Sequence, residues 1–318
     1  MLSFLQKTST AEMSRDEWLA ARKAGIGGSD AASILGLSTW KSAFTLWMEK
    51  TGRAEDQPDN ERLRQGRDLE EYVAQRFCEA TGKKVRRVNA MLKNPDYPYS
   101  FADVDRAIVG ENALLEAKTA NSLTLKKYRS GEYPTQYYVQ CMHYMAVTGA
   151  ERVYLAVLVL GQDFLIFTIE RDEQEIAALM EAEKSFWETY VKAEVAPPPD
   201  GTIATADSIS DMYPDSNGEE IDLFGRDAMI DQYFEISAQI KELQKKQDEI
   251  KQTLQLDLGE SEIGMAERYK VSWKNQTRKT FDAKAFANDH PELDLDEYYK
   301  ETKSRVFRVN ALKSFKPL

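Results

Sequence analysis

Apolar and polar positions alternate most tellingly over Ala113-Leu114-Leu115-Glu116-Ala117-Lys118-Thr119, a short run that predicts a half-buried strand. Residues i and i+2 of a strand share a face, so Glu116 and Lys118 sit side by side. Residues 99–108 read as a second strand, and Val109-Gly110-Glu111-Asn112 as the turn that brings Asp105 beside Glu116. Helical spacing takes over elsewhere. Over residues 66–77, Glu70 precedes Val73 and Phe77 by three and seven positions, which turns it toward the apolar side while Glu71 faces away. Over residues 136–146, Gln136, Gln140 and Tyr144 recur at i, i+4 and draw a polar stripe down a core-like helix. A Gly-rich loop, Gly25-Ile26-Gly27-Gly28, runs into a helix for which Ser29 or Asp30 would be a good N-cap.

The second half is organised differently. Pro197-Pro198-Pro199 ends the helix that Ile176, Leu179, Met180, Trp187 and Tyr190 predict over residues 175–191. Residues 197–225 contain no Lys or Arg and seven acids, and read as a linker or an ordered strap. Beyond them, Met229, Tyr233, Ile236, Ile240, Leu243, Gln247, Ile250 and Leu254 alternate spacings of four and three, a heptad seam with one polar position. Residues 268–274 alternate as a strand, 305–309 read as its pairing partner, and 281–288 as a short helix between them. The expected division is a first domain over 1–196, the acidic segment over 197–225, and the heptad helix with a small α/β appendage over 226–318.

Composition narrows the chemistry. A chain of 318 residues buries a full core and leaves room for a smaller second unit. It has no run of about 18 apolar residues and no signal-peptide pattern at its start, so the expectation is neither membrane nor export. Two cysteines, Cys78 and Cys141, cannot by themselves hold a four-thiolate zinc or iron–sulfur site, and two histidines disfavour histidine-rich metal sites. The net charge of −11 argues against a polyanionic partner, but the acids of residues 197–225 account for most of it. On either side of the Asp105 to Lys118 hairpin in sequence lie two basic clusters, one with Arg86 and Arg87, the other with Lys126, Lys127 and Arg129, suited to tracking phosphates.

An Asp, a Glu and a Lys at one end of a hairpin suit metal-assisted phosphodiester hydrolysis. Hard carboxylates hold Mg²⁺ or Mn²⁺, and a lysine orients water or offsets charge developing on the phosphate. Glu70 is a candidate outer ligand. Arg22 with the loop ending at Ser29 is a candidate anion site, because free amides and the dipole at a helix start favour negative charge.

Taken in order, Gly-Ile-Gly-Gly-Ser-Asp-Ala, Trp40-Lys41-Ser42, Leu69-Glu70, Asp105, Glu116-Ala117-Lys118 and Gln140-x-x-x-Tyr144 resemble the YqaJ-type viral recombinases, phage exonucleases related to lambda exonuclease within the PD-(D/E)XK nuclease superfamily. The resemblance covers roughly residues 15–195. It implies a restriction-endonuclease-like core, a mixed sheet flanked by helices. It places Glu70, Asp105, Glu116 and the Ala117 backbone carbonyl at a site for two metal ions, with Lys118, Gln140 and Tyr144 beside them, and gives the terminal 5′-phosphate to Arg22 and Ser29. The implied activity is 5′-to-3′ resection of linear double-stranded DNA in a bacterial host cytoplasm, with no iron–sulfur cluster. A single-strand annealing protein would take the product, and the enzyme would be a homo-oligomer, by the same resemblance a ring-shaped trimer. Two departures stand out: Arg106 follows Asp105 where the family commonly has Gly, and Val104 occupies the place of its Pro. Asp103, on the same strand face, is therefore an alternative to Asp105. Other readings are an endonuclease or repair nuclease on this fold, and a non-enzymatic DNA-binding or assembly protein.

Overall fold

The computed structural model describes residues 5–55 and 59–312. Two compact units divide at Tyr213 and Pro214. The first runs through β1 (Gln6–Ser9), α1 (Arg15–Lys23), β2 (Ile26–Gly27), α2 (Gly28–Ile34), α3 (Ala43–Lys50), α4 (Glu61–Thr81), β3 (Val85–Arg87), β4 (Ala90–Lys93) and β5 (Ser100–Phe101). It continues through β6 (Arg106–Ile108), β7 (Ala113–Ala120), α5 (Leu125–Arg129), α6 (Thr135–Thr148), β8 (Arg152–Val159), β9 (Asp163–Glu170), α7 (Glu173–Phe186) and α8 (Ile203–Met212). The helix boundaries follow local chemistry: Asn60 caps α4 through the Leu63 amide, Asp172 caps α7 through the amides of Gln174 and Glu175, and α4 and α6 stop at Gly82 and Gly149, whose φ values of 70° and 71° suit glycine.

A five-stranded sheet in the order β3-β6-β7-β8-β9 forms the frame. Only β7 and β8 run parallel, joined by the α6 crossover; the other pairs are antiparallel. This is the mixed sheet flanked by helices that the sequence implied. The two-residue period of a strand divides the packing. Leu114, Val153, Leu155 and Val157 face the larger core with α2, α3, α6 and α7, whereas Leu115, Tyr154 and Ala156 face Val73, Ala74 and Phe77 of α4. Glu116 and Lys118 share the parity of Leu114, so they point toward α6.

The strand expected over 99–108 is broken. Ser100 and Phe101 pair in parallel with Ile26 and Gly27, whereas Arg106 and Ala107 pair with β7, and the chain between them leaves the ladder at Asp103 to Asp105. The break lets one continuous apolar segment serve two sheets, which strand propensity alone does not reveal. The acidic segment also has internal order: its Ile203–Met212 portion is helical and packs on α3, where Thr45 bonds to Ser208 and Thr205 donates to Ser42.

In the second unit, α9 (Asp227–Leu258) is followed by β10 (Ile263–Met265), β11 (Lys270–Ser272) and α10 (Ala283–Asp289). The expected pairing of 268–274 with 305–309 is not formed. Lys270–Ser272 pairs with Ile263–Met265 in a hairpin, and 305–309 lie outside any strand, because the nearer segment closes a shorter loop. No helix among the described residues is long and apolar enough to cross a membrane.

A fully buried ionic network ties α6, α7 and β5 together. His143 Nδ1 lies 2.7 Å from Glu183 Oε1 and Nε2 lies 2.8 Å from the Phe101 carbonyl, while Ser100 Oγ donates to Glu183 Oε2 at 2.6 Å. Both ring nitrogens face acceptors, so both must donate and the imidazole is charged. Burial alone would lower its pKa, but Glu183 outweighs it and holds it above the ordinary value. Stability from a raised folded-state pKa is fully present below the unfolded value of about 6.5 and is lost as pH rises through the folded one. Glu183→Gln should therefore cost about 3 kcal/mol at pH 6, because it strands a buried charge, and the gap to wild type should narrow at higher pH. Urea unfolding across that range reads both; a pH-independent gap would contradict the charged assignment.

Candidate functional site

The hairpin of β6 and β7 pairs Arg106 with Leu115, and continuing that register sets Asp105 across from Glu116. Asp105 Oδ2 accepts from the Ala117 amide at 2.8 Å, so the aspartate caps the ladder where β6 breaks off. Glu116 is 2% exposed; its Oε1 pairs with the Lys118 ammonium and accepts from Gln140 Nε2 at 2.7 Å, and the same Gln140 nitrogen lies 2.9 Å from the Tyr144 hydroxyl oxygen. The stripe on α6 and the charged alternation on β7 thus meet. Burial and the neighbouring carboxylates of Glu116 and Glu70 push the Asp105 pKa well up. Burial also raises that of Glu116, outweighing Lys118, while the ammonium of Lys118 is held above its ordinary value by the two acids despite burial.

Two carboxyls so placed repel unless protonated or bridged by a cation. Glu116 Oε2 is buried and has no hydrogen-bond partner among the described residues, a costly state that a hard cation relieves. The oxygen donors of Asp105 and Glu116 therefore fit a divalent metal. A third acid is not drawn in: no three acidic, histidine or cysteine side chains among the described residues cluster closely enough to hold an ion by themselves. Glu70 explains why. It projects from α4, on the other side of the sheet, and pairs with Arg106, whose guanidinium is almost fully buried and also reaches the Asp105 carbonyl at 2.7 Å and Glu71 at 3.0 Å. Asp103 accepts from Trp18 Nε1 at 2.9 Å through one oxygen and still lies near enough for its charge to help raise the Glu116 pKa.

The Gly-rich loop builds a second charged centre. Neither Ser29 nor Asp30 caps α2, contrary to expectation. The N-cap is Gly27, two residues before Ser29, and Asp30 instead reaches back from the first turn to the Gly27 amide at 3.1 Å. The backbone enters the helix at Gly27 because glycines let α2 come close to α6: a Cβ at Gly28 would lie 2.6 Å from Tyr144 Cε1. Asp30, 1% exposed, is ringed by Lys50 at 2.7 Å, Arg22 at 3.6 Å and Lys41 at 3.9 Å. Burial opposes its ionisation, yet these three cations hold its pKa well below the carboxylate range. Arg22 stacks over the Trp18 ring and donates to Ser29 Oγ at 2.8 Å, so Arg22 and Ser29 do meet. Lys41 also pairs with Glu49, so three cations facing two carboxylates leave one net positive charge beside the exposed Ser29 hydroxyl.

Of the two basic clusters, Arg87 pairs with Glu71 and Arg129 with Asp163, while Arg86, Lys126 and Lys127 are exposed. Sequence reasoning missed Arg106, Lys41 and Lys50. Arg106 was visible as the departure after Asp105 and Lys41 as part of Trp40-Lys41-Ser42, though without a role, whereas nothing local marks Lys50, which reaches Asp30 only through the packing of α3 on α2.

A family model describing the YqaJ-like viral recombinase domain matches residues 17–151, which take in the loop, α4, the hairpin and α6. The YqaJ protein of Bacillus subtilis (strain 168) is 39% identical over 304 residues, 94% of this chain and 95% of that protein. Among solved structures, an alkaline exonuclease (LHK-Exo) from Laribacter hongkongensis is 23% identical, with a TM-score of 0.49 over 57% of this chain and 94% of its own. A phage related exonuclease from Haemophilus somnus 129PT is 12% identical, with a TM-score of 0.42 over 56% and 98%.

The contact of α2 with α6 carries a direct consequence. Gly28→Ala should displace the Tyr144 ring and cost about 1–3 kcal/mol, as overpacking does. Thermal unfolding of Gly28→Ala, Tyr144→Ala and the double variant checks it: the alanine at 28 should cost far less once the ring is gone, and simple additivity would mean that the two residues do not touch.

Proposed function

The chain belongs to the YqaJ family of viral recombinase-like proteins, and on that premise we propose that it is a metal-dependent exodeoxyribonuclease. In this reading it digests linear double-stranded DNA from the 5′ end and leaves a 3′ single strand for an annealing partner. The observation that carries the hydrolytic part is the pairing of Asp105 with Glu116, one oxygen of which is buried without a partner, next to the Lys118 ammonium.

Asp105, Glu116 and the Ala117 carbonyl would hold the metal, Mg²⁺ or Mn²⁺ and two ions by the family resemblance, with Glu70 as an outer ligand once released from Arg106. The ion supplies Lewis acidity toward the phosphate and lowers the cost of bringing an anion to two carboxylates. Gln140 fixes the rotamer of Glu116 by its hydrogen bond, and Tyr144 braces Gln140. Lys118, on the same strand face, would orient the attacking water and offset charge developing on the phosphate. Arg22 and Ser29, with Lys41 and Lys50 behind them, supply the cationic pocket for a terminal 5′-phosphate, and Arg86, Arg87, Lys126, Lys127 and Arg129 would follow the DNA backbone. Assembly as a homo-oligomer, a trimeric ring in the resemblance, and action in a bacterial host cytoplasm belong to the same proposal.

Replacing Glu116 or Asp105 by Ala should lower turnover by at least ~10³, about 4 kcal/mol of barrier, while DNA binding largely survives. Turnover near wild type in either folded variant with Mg²⁺ would sink the metal-site reading, and a dead Asp103→Ala beside a live Asp105→Ala would move the ligand by two residues. Lys118→Ala should lose most turnover yet bind Mn²⁺ in calorimetric titration; lost metal binding would make the lysine a structural partner of Glu116.

End recognition has its own test. Wild type should digest 5′-phosphorylated duplex faster than 5′-hydroxyl duplex and leave covalently closed circles intact. Arg22→Ala should lose most of that preference, roughly ten- to a hundredfold, because a charge-assisted contact contributes ~1.5–3 kcal/mol. Cleavage of closed circular DNA favours an endonuclease, and equal rates on the two ends remove the phosphate pocket from the mechanism.

A further inference from the structure

Among the described residues, the longest helix leaves most of its apolar side uncovered. The seam expected from the sequence lies on α9, and its seven apolar members, Met229 to Leu254, remain 41–64% exposed. Phe307 stands edge-on to Tyr233, 6.2 Å between ring centroids, and still leaves it half exposed. The seam is about 37 Å long at 1.5 Å per residue. An apolar stripe of that length on a surface helix marks an interaction site.

The charges beside the seam identify the occupant. With Tyr233, Ile240, Gln247 and Leu254 at the a positions and Met229, Ile236, Leu243 and Ile250 at d, the flanking e and g positions contain two charged residues, Lys246 and Lys251, and no acid. In a parallel pair of copies, Lys246 of one helix meets Lys251 of the other on both sides, a repulsive arrangement. Reversing one helix removes the clash. The layers then become Met229 on Leu254, Tyr233 on Ile250, Ile236 on Gln247 and Ile240 on Leu243, each occurring twice. Lys246 comes beside Glu235 and Glu242 of the second copy, and Lys251 beside Asp227. The acids that lie off the seam on one copy thus match the lysines that flank it on the other. Gln247 opposite Ile236 weakens one layer, so the association should depend on concentration.

We propose that α9 is a homotypic docking surface whose occupant is α9 of a second copy, packed antiparallel. The proposal rests on the second unit alone and does not depend on the nuclease reading. Whatever assembly the first unit makes, α9 doubles it.

Light scattering on the full chain over a range of concentrations tests the occupant. The wild-type mass should rise to twice that of Ile240→Asp/Leu243→Asp, whose helical circular dichroism should be unchanged. Equal masses for the two proteins at every concentration would overturn the proposal, including the case in which α9 serves a different protein. Orientation is read by disulfide trapping in a Cys78→Ser background. Mixing Ser237→Cys with Gln244→Cys should give the mixed disulfide, and Gln247→Cys alone should give none; the reverse result means a parallel pair and overturns the antiparallel assignment. A surface substitution gives a check that cannot fail through misfolding. Lys251→Glu should weaken the association about tenfold by losing Asp227, whereas tighter association would show that it had met Lys246 in a parallel pair.

Discussion

The constraint on which the site depends is a pair of carboxylates that the fold forces into one place and does not neutralise. Asp105 and Glu116 face each other because β6 and β7 share a tight hairpin register, and both lie deep enough that burial disfavours their charge. Each remaining contact works around that conflict. Lys118 and Gln140 take one oxygen of Glu116, the Ala117 amide takes one of Asp105, and Glu116 Oε2 is left without a donor. A protein selected only for stability would fill such a position with apolar residues of similar volume.

The helices around the sheet make this arrangement rigid. α6 carries Gln140 and Tyr144 on one side and His143 on another, so the same helix that orients Glu116 is tied to α7 and β5 by a buried ionic network. α2 approaches α6 so closely that a side chain at Gly28 would strike Tyr144, and the same helix carries Asp30, which gathers Arg22, Lys41 and Lys50. The carboxylate pair and the cluster of cations around Asp30 are thereby fixed to the two sides of one helix contact. Arg106 binds the site from the opposite face, holding the Asp105 carbonyl and Glu70 with one guanidinium.

Much of this was legible in the chain. The alternation over 113–119, the stripe Gln140 and Tyr144, the Gly-rich loop with Arg22 and Ser29, and the helix carrying Glu70 all appear where their periodicities place them, because each depends on neighbours within one element. The misread features depend on more distant segments. The strand over 99–108 is divided because its two ends pair in different sheets, and the N-cap moved to Gly27 because only glycine lets the start of α2 lie against Tyr144 of α6.

Local period and residue chemistry therefore determined by themselves the strand, the helices and the side chains able to meet, since a repeat of two or of 3.6 assigns each residue a face without reference to the rest of the chain. Tertiary structure alone decided which of those faces met. It gave Glu70 to Arg106 and Asp103 to Trp18, brought Lys41 and Lys50 to Asp30, and left the α9 seam open. The reason is physical: an ion pair or hydrogen bond forms wherever packing brings its partners within about 3 Å, and no pattern along the sequence encodes that distance between elements far apart in the chain.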